Sequence, residues 1–237
     1  MGNSEVGHNA LGAGRVFDQG AALVNRAIAE GILFQGQVWQ DLIANVGQHD
    51  SALHLIALLS DGNVHSHIDH LKGLIAAAEA NGVSQSFVHA FTDGRDVDPH
   101  SGKGFIADLE AFCKDRPCKL ASVIGRYYAM DRDKRWERVK LAYDLLVNGV
   151  GTPTTDAVAA VEKSYEAGVT DEFIKPIVVT DQTGEPLTRI SEGDVVVFFN
   201  FRTDRGRQLT EALSQKAFHE YNMHPMKLYY VTMTNYD

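Results

Sequence analysis

Four short, mostly apolar segments, each followed at once by polar and charged residues, are the strongest constraint on the fold of this 237-residue chain. They are Leu53–Leu59, Phe87–Phe91, Lys119–Ile124 and Asp194–Phe199. Apolar runs of this length, bounded by turn residues, are typical of buried strands. Longer stretches with apolar residues at helical spacing separate them, and this alternation predicts right-handed βαβ crossovers. We therefore predict an α/β fold: a three-layer domain with a mostly parallel sheet and helices on both faces.

Weaker patterns complete the predicted order of elements. Helices are expected at residues 17–31, 38–46, 67–80, 105–112, 133–149 and 155–165 and around Leu209. Strands are expected at residues 174–179 and 227–233. Thr154 or Thr155 is expected to cap the helix that follows it, because threonine side chains accept hydrogen bonds from the first helical N–H groups. Residues 169–193 are otherwise predicted to be irregular.

The net charge of −9 argues against a general nucleic-acid or lipid-surface binder, since such proteins gain affinity from a basic face. No segment approaches the roughly 18 apolar residues of a membrane span, and the first residues lack the pattern of a signal peptide. A cytoplasmic protein with no membrane or nucleic-acid partner is the simplest expectation. Cys113 and Cys118 are expected to be two reduced thiols.

Charged side chains follow all four strong strand segments. These residues are Asp61, His65 and His67; Asp93, Arg95, Asp96 and Asp98; Arg126 and Arg132; and Asn200, Arg202, Asp204 and Arg205. The carboxyl ends of parallel strands share one edge of a sheet, so these loops should converge. A guanidinium holds carboxylate or phosphate oxygens two at a time, which predicts a site for a small, multiply anionic ligand. The alternative is that each arginine pairs with a nearby carboxylate such as Asp93, Asp131 or Asp204.

His65 and Asp96 are the two groups near this edge that could move protons. The surrounding arginines should lower the pKa of Asp96, which favours a base rather than an acid until an anion binds. His65 could instead be a loop histidine bonded to a backbone carbonyl group. The remaining histidines near the strands are interpreted as helix or core residues: His54, His67, His70 and His89.

Two other patterns are weak, and one serine is left open. His65, His67 and Asp69 are spaced two apart, so they would point to different sides of a helix and are not expected to hold a metal. The glycines at 12–14 follow no strand, so a dinucleotide fingerprint is not inferred. Ser4 lies in a glycine-rich turn before a helix and is a candidate nucleophile, although no base for it is identifiable nearby.

Five motifs taken together closely resemble the cofactor-independent (2,3-bisphosphoglycerate-independent) phosphoglycerate mutase family. They span residues 1–8 (MGNSEVGH), 60–67 (SDGNVHSH), 92–96 (TDGRD), 125–132 (GRYYAMDR) and 200–205 (NFRTDR). The resemblance implies a two-domain enzyme in which an alkaline-phosphatase-like domain holds two manganese ions. A substrate domain is inserted into that domain.

The resemblance implies an intramolecular phosphotransfer from 3-phosphoglycerate to 2-phosphoglycerate through a phosphoserine. Ser4 would be the metal-bound nucleophile, and Asp96 the acid/base for the glycerate hydroxyls. The implied substrate-binding residues are His65, Arg95, Asp96, Arg126, Arg132, Arg202 and Arg205. Phosphoglycerate or glycerate would be the small-molecule partner.

The family's other metal ligands are not found in this sequence, which suggests a truncated chain. We expect residues 1–16 to be a nucleophile segment of an otherwise absent phosphatase-like domain, and residues 17–237 to be the substrate-binding domain. The chain is expected to be a monomer that binds phosphoglycerate but does not turn it over alone. Two alternatives remain: a non-catalytic phosphate or sugar-acid binding module, and a phosphoacceptor domain, which the many arginines disfavour.

Overall fold

The computed structural model describes residues 8, 11–12, 20–49 and 51–236, with no description of the side chains at 48 and 49. Ser4 therefore lies outside the described residues. Within them, seven strands form one sheet in the order β4-β5-β3-β2-β1-β6-β7. The strands are β1 Leu53–Leu59, β2 Ser86–Thr92, β3 Cys118–Gly125, β4 Thr152–Thr154, β5 Ile177–Val179, β6 Val195–Phe198 and β7 Tyr229–Thr232.

All neighbouring strands run parallel except β3 and β5, which are antiparallel. The helices are α1 Ala21–Ala29, α2 Ile32–Gln35, α3 Gln37–His49, α4 Ile68–Ala80, α5 Gly102–Cys113, α6 Arg126–Ala129, α7 Trp136–Tyr143, α8 Ala157–Glu166 and α9 Arg207–Ser214. A π-helical turn, Asp144–Asn148, extends α7, and short 3-10 turns cover Asp171–Phe173 and His219–Tyr221. The predicted mostly parallel α/β fold is confirmed.

Helices cover both faces of the sheet, because every residue of β1 and β2 is buried. Leu42 of α3, Leu74 of α4 and Val197 of β6 line one apolar groove, so α3 and α4 lie on the same face. On the other face, the Thr210 hydroxyl of α9 lies 3.1 Å from the Tyr230 hydroxyl of β7. This three-layer arrangement leaves the carboxyl ends of the strands as the open edge where the polar loops meet.

The strand order reverses at β1, which pairs with β2 on one side and with β6 on the other. The chain therefore leaves β1 and β6 in opposite directions along the sheet, and a crevice forms between the two departing loops. In open α/β sheets this switch point is the usual position of a ligand. The backbone N–H of Phe201, just after β6, donates to the carbonyl oxygen of His65 at 2.8 Å and ties the two loops together.

Local details correct two expectations. Thr154 ends strand β4, a strand that was not predicted from the sequence. Neither Thr154 nor Thr155 caps α8, because the Asp156 carboxylate accepts from the Ala159 N–H at 2.9 Å instead. Cys113 and Cys118 form a disulfide, so the prediction of two reduced thiols is wrong. The turn between α5 and β3 brings their Cα atoms to 5.2 Å, within disulfide range.

Candidate functional site

The turn after β2 is built by Asp93, which is 1% exposed. Its Oδ1 accepts hydrogen bonds from the backbone N–H groups of Arg95 and Asp96, at 3.1 and 3.0 Å. Gly94 between them has a φ of 69°, a left-handed conformation that favours glycine. Burial acts to raise the pKa of Asp93, but Arg126 and the two N–H donors outweigh it, so the pKa is lowered. The turn thus presents a buried carboxylate to the next loop.

Arg126 joins three of the loops into one group, which we call the Arg126 group: His65, Asp93, Asp96 and Arg126. It follows the last residue of β3 and is 4% exposed. Its Nη1 donates to Asp93 Oδ1 and to Asp96 Oδ2, both at 2.6 Å, and its Nη2 lies 3.1 Å from His65 Nε2. The guanidinium is held firmly, because two carboxylates compensate its buried charge and leave the group with a net charge of −1.

His65 is a neutral hydrogen-bonding residue in this group. Burial first, and Arg126 second, lower its pKa to about 3. Since Nε2 faces an N–H of Arg126 and must accept, the ring proton is assigned to Nδ1. Within the described part of the chain, His65 Nδ1 is buried without a hydrogen-bond partner. A buried N–H without a partner is costly, so this atom is a donor that a ligand could satisfy.

A second group, the Asp204 group, links the loop after β3 to the loop after β6. Asp204 Oδ2 accepts from Arg132 Nη1 at 3.0 Å and from Arg202 Nη2 at 3.2 Å, while its Oδ1 lies 2.9 Å from Arg202 Nε. Burial acts to raise the pKa of Asp204, but Arg202 and His65 outweigh it and the pKa is lowered. Nearby, Arg205 Nη1 donates to the Met130 carbonyl oxygen at 3.1 Å.

Arg205 is affected by the positive charges of neighbouring arginines. Burial, followed by the charges of Arg132 and Arg126, lowers the pKa of its guanidinium. Arginine keeps its charge over the whole physiological range, so the lowered pKa reflects burial and the nearby cations rather than deprotonation. An anion beside Arg205 would relieve that crowding.

Arg95 stands at the rim and has a partner that sequence reasoning missed. Its side chain is 52% exposed, and Nη1 lies 3.4 Å from Glu172 Oε1. The 3-10 turn containing Glu172 packs on the site from outside: a Cβ on Gly94 would lie 2.9 Å from the Glu172 nitrogen, and one on Gly125 would collide with the Glu172 carbonyl oxygen. Nothing in the sequence around Glu172 pointed to this position, because residues 169–193 lack periodicity.

The structure thus brings His65, Asp96, Arg126, Arg132, Arg202 and Arg205 to one edge and places Arg95 at its rim. The alternative interpretation, that arginines pair with nearby carboxylates, also describes what is seen for Arg95, Arg126, Arg132 and Arg202. Asp131, however, pairs with Arg138, at 3.1 Å. The site is therefore largely compensated internally, not a set of bare cations.

The described ranges contain no group of three side chains able to hold a metal ion. His67 caps α4 by accepting from the Asp69 N–H at 3.1 Å, and His70 bonds Asn25. None of the helices in these ranges is long and apolar enough to cross a membrane.

Comparison with known proteins identifies the family. Residues 24–237 match the family model described as BPG-independent PGAM N-terminus. The chain belongs to this family. It is 61% identical over 237 residues to the 2,3-bisphosphoglycerate-independent phosphoglycerate mutase of Flavobacterium johnsoniae, and 57% identical to that of Flavobacterium psychrophilum. The match covers 100% of this chain and 47% of each relative. The chain thus spans about half the length of these curated relatives.

A solved structure shares the fold. The crystal structure of Leishmania mexicana phosphoglycerate mutase at low cobalt concentration superposes with a TM-score of 0.92 at 38% identity. The superposition covers 98% of this chain and 44% of the other. The resemblance inferred from the five motifs is confirmed at the level of family and fold.

Proposed function

We propose that this chain is the substrate-binding part of a 2,3-bisphosphoglycerate-independent phosphoglycerate mutase, an isomerase of glycolysis and gluconeogenesis that converts 3-phosphoglycerate to 2-phosphoglycerate through a phosphoserine. The observation that carries the proposal is the Arg126 group at the strand switch point, with the arginines of three neighbouring loops around it. Membership of the family supports the substrate class.

The side chains have separate tasks in this proposal. Arg95, Arg126, Arg132, Arg202 and Arg205 bind the carboxylate and phosphate oxygens of the ligand, because guanidinium groups hold such oxygens in pairs. His65 donates Nδ1–H to a ligand oxygen, which would satisfy an otherwise orphaned buried atom.

Asp96 is proposed as the acid/base for the glycerate hydroxyls. Its Oδ2 lies 2.6 Å from Arg126 Nη1 and 3.9 Å from His65 Nε2, at the point where three loops meet. Its side chain is 20% exposed, whereas Asp93 on the same turn is 1% exposed. Asp96 can therefore contact a ligand in the crevice. Asp93 is buried, and it holds the turn and Arg126 in place. In the proposed cycle Asp96 would give a proton to the 3-oxygen of glycerate as the phosphoryl group leaves it, and would take a proton from the 2-hydroxyl as the phosphoryl group is transferred there.

Ser4 and manganese complete the proposal for the whole protein. Ser4, as nucleophile and metal ligand, belongs to a segment 1–16 of a phosphatase-like domain, and residues 17–237 form the substrate domain. The described residues do not fit a manganese site, because they contain no group of three His, Cys, Asp or Glu side chains placed to hold a metal ion. No step is therefore derived through the metal, whose two ions would be held mainly by the rest of the enzyme. We further propose a cytoplasmic, monomeric enzyme.

Titration calorimetry with 2- and 3-phosphoglycerate, with and without manganese, tests the proposal on the wild-type chain and on Arg202→Ala. Arg202→Ala should weaken binding at least tenfold, since its guanidinium would bind the ligand directly. Arg189→Ala is the matched control, because Arg189 pairs with Glu185 at 3.4 Å and neither residue is proposed to bind the ligand. Equal binding by wild type and Arg202→Ala would overturn the arginine site.

The same preparations decide whether the chain works alone. We expect phosphoglycerate binding but no interconversion of the 2- and 3-phosphoglycerates, with or without manganese. Robust turnover by the purified chain would contradict the inactive-fragment part of the proposal while supporting the family activity.

A further inference from the structure

Asp204 occupies the position between two candidate anion-binding arginines from different loops. Its Oδ2 accepts from both Arg132 and Arg202, and its Oδ1 lies 2.9 Å from Arg202 Nε. Both carboxylate oxygens thus lie beside one guanidinium, with a hydrogen bond at Arg202 Nη2 and a charge contact at Nε, and Oδ2 also bridges to the second guanidinium. A phosphate or carboxylate ligand makes the same arrangement with an arginine pair.

The surroundings of Asp204 are strongly cationic. Arg202 and Arg132 both contribute to lowering its pKa, and the neighbouring Arg205 bonds a backbone carbonyl oxygen, not a carboxylate. Arg132 is 48% exposed and Asp204 30% exposed, so this ion pair is open to solvent on one side. A half-exposed pair is weaker than a buried one, so the contact with Arg132 can be replaced at small cost, whereas the contact with Arg202, which is 16% exposed, must be replaced by an equivalent contact with the ligand. In the Arg126 group, by contrast, Arg126 and Asp93 are almost fully buried.

We propose that Asp204 is an internal counter-ion that occupies the anion position between Arg132 and Arg202 until a multiply charged ligand replaces it. The inference deepens the proposed function and rests on it, since it assigns a role within the same site. It makes Asp204 a specificity-determining residue for ligand charge. A singly charged anion that displaces Asp204 only replaces the single negative charge of the Asp204 carboxylate. A dianionic phosphate monoester brings a second negative charge, which also compensates the positive charge of Arg205.

Two opposing effects of removing the Asp204 charge must be weighed. Without the carboxylate, Arg132 and Arg202 are no longer held in one arrangement, so ordering them costs some of the free energy of ligand binding. Loss of the negative charge also removes both the competition and a repulsion of every incoming anion. The repulsion acts over only a few ångströms in a partly desolvated cleft, where charge interactions are much stronger than in bulk water. The charge effect should therefore be the larger.

Asp204→Asn tests this inference with inorganic phosphate, acetate and 3-phosphoglycerate as probes, titrated at constant ionic strength. Asp204→Asn should bind inorganic phosphate about tenfold more tightly than wild type, and the preference for phosphate over acetate should shrink. Asp108→Asn is the control, because it removes the same charge from an exposed pair with Lys72, at 2.6 Å, on the helical surface. It should bind like wild type.

The outcomes separate this inference from the proposed function. Unchanged or weaker phosphate binding by Asp204→Asn, with normal 3-phosphoglycerate binding by wild type, overturns the counter-ion role alone. Binding of phosphate but not of 3-phosphoglycerate by wild type overturns the proposed function instead.

A measurement on wild type keeps the inference testable if Asp204→Asn does not fold. The ¹³C carboxyl resonance of Asp204 and the ¹⁵Nε resonances of Arg132 and Arg202 are followed by NMR as phosphate is added. All three should shift together as the carboxylate exchanges for phosphate. A static Asp204 carboxyl resonance at saturating phosphate would overturn the exchange.

Discussion

Two buried groups, each joining histidine to aspartate across neighbouring strands, differ in whether their hydrogen bonds are complete. The first, which we call the histidine chain, consists of Asp194, His54, His89 and Ser122. His54 Nε2 lies 3.2 Å from Asp194 Oδ2, His54 Nδ1 lies 3.0 Å from His89 Nε2, and His89 Nδ1 lies 2.7 Å from Ser122 Oγ. The second is the Arg126 group, in which His65 Nδ1 has no partner within the described residues.

One assignment of protons satisfies the whole histidine chain. With neutral rings, Ser122 O–H donates to His89, His89 Nε2–H donates to His54, and His54 Nε2–H donates to Asp194. The chain therefore cross-links β3, β2, β1 and the residue before β6, and no polar atom of either ring remains for a ligand. In the Arg126 group, the same residue types leave one N–H donor, His65 Nδ1, without a partner within the described residues. The unpartnered His65 Nδ1, together with the arginines around it, separates this group from the fully hydrogen-bonded histidine chain.

The largest expected effect is that of Arg126→Ala. It leaves two neighbouring carboxylates, Asp93 and Asp96, without their shared cation, and breaking a buried ion pair costs roughly 3–5 kcal/mol of unfolding free energy. Urea denaturation should show this loss, and phosphoglycerate binding should disappear.

Arg116→Ala is the control for Arg126→Ala. Arg116 pairs with Glu79 on the surface, and such pairs contribute below about 1 kcal/mol. If Arg126→Ala were as stable as Arg116→Ala, the Arg126 group would not be the structural centre of the site.

Alanine at His89 and at His65 should have opposite consequences. His89→Ala leaves a cavity and two orphaned polar groups in the core, so it should cost roughly 2–4 kcal/mol of stability with ligand affinity nearly unchanged. His65→Ala removes one neutral partner of Arg126 and should cost about 1 kcal/mol, but weaken phosphoglycerate binding at least tenfold. Loss of affinity in His89→Ala at temperatures where it is fully folded would contradict the separation of the two groups.

The pH dependence of stability sharpens the comparison. Burial and Arg126 lower the folded-state pKa of His65 to about 3, and burial and His54 lower that of His89 well below 6.5. Below pH 6.5 these histidines bind protons in the unfolded chain but not in the folded chain. The free energy of unfolding therefore decreases as the pH is lowered. Each such histidine contributes about 1.4 kcal/mol per pH unit.

His65→Gln should therefore reduce the slope of stability against pH between 6.5 and 4 by about that amount. Urea titrations at several pH values measure the slope. The lowered pKa of Asp93 contributes only below the unfolded value of 3.8, outside this window. An unchanged slope in His65→Gln would mean that His65 is protonated in the folded protein.

The long, uniform signals in the sequence predicted the fold well. The apolar run of β1 predicted its limits, Leu53–Leu59, and the charged residues after each strong strand predicted which loops meet. Strand β4 escaped prediction because Thr152–Thr154 has three residues, one of them proline, and takes its strand character from pairing with β5. Its existence depends on a tertiary contact that no local pattern encodes.

The partners within the site could not be predicted in the same way. Arg126 and Asp96 are 30 residues apart, and only the folded register brings them to 2.6 Å. Glu172 lies in an irregular stretch, and its position follows from close packing of backbone on Gly94 and Gly125. Similarly, the sequence predicted a core histidine at His54 but left His65 open between a proton-transfer residue and a loop histidine. The hydrogen-bond geometry separates them.

The smallest expected effect is that of Arg95→Ala, which probes the exposed rim of the site. Its side chain is 52% exposed and its contact with Glu172 is long, so the unfolding free energy should change by less than about 0.5 kcal/mol. Affinity for 3-phosphoglycerate should fall about threefold to tenfold, because one guanidinium contact is lost from an anion that keeps several others. That loss should shrink as salt is added, since an exposed charge is screened within about 10 Å at 0.1 M salt. Arg189→Ala, with an ion pair of the same length but remote from the site, should change neither quantity. A salt-independent loss in Arg95→Ala would place Arg95 with the buried Arg126 group instead of at the rim.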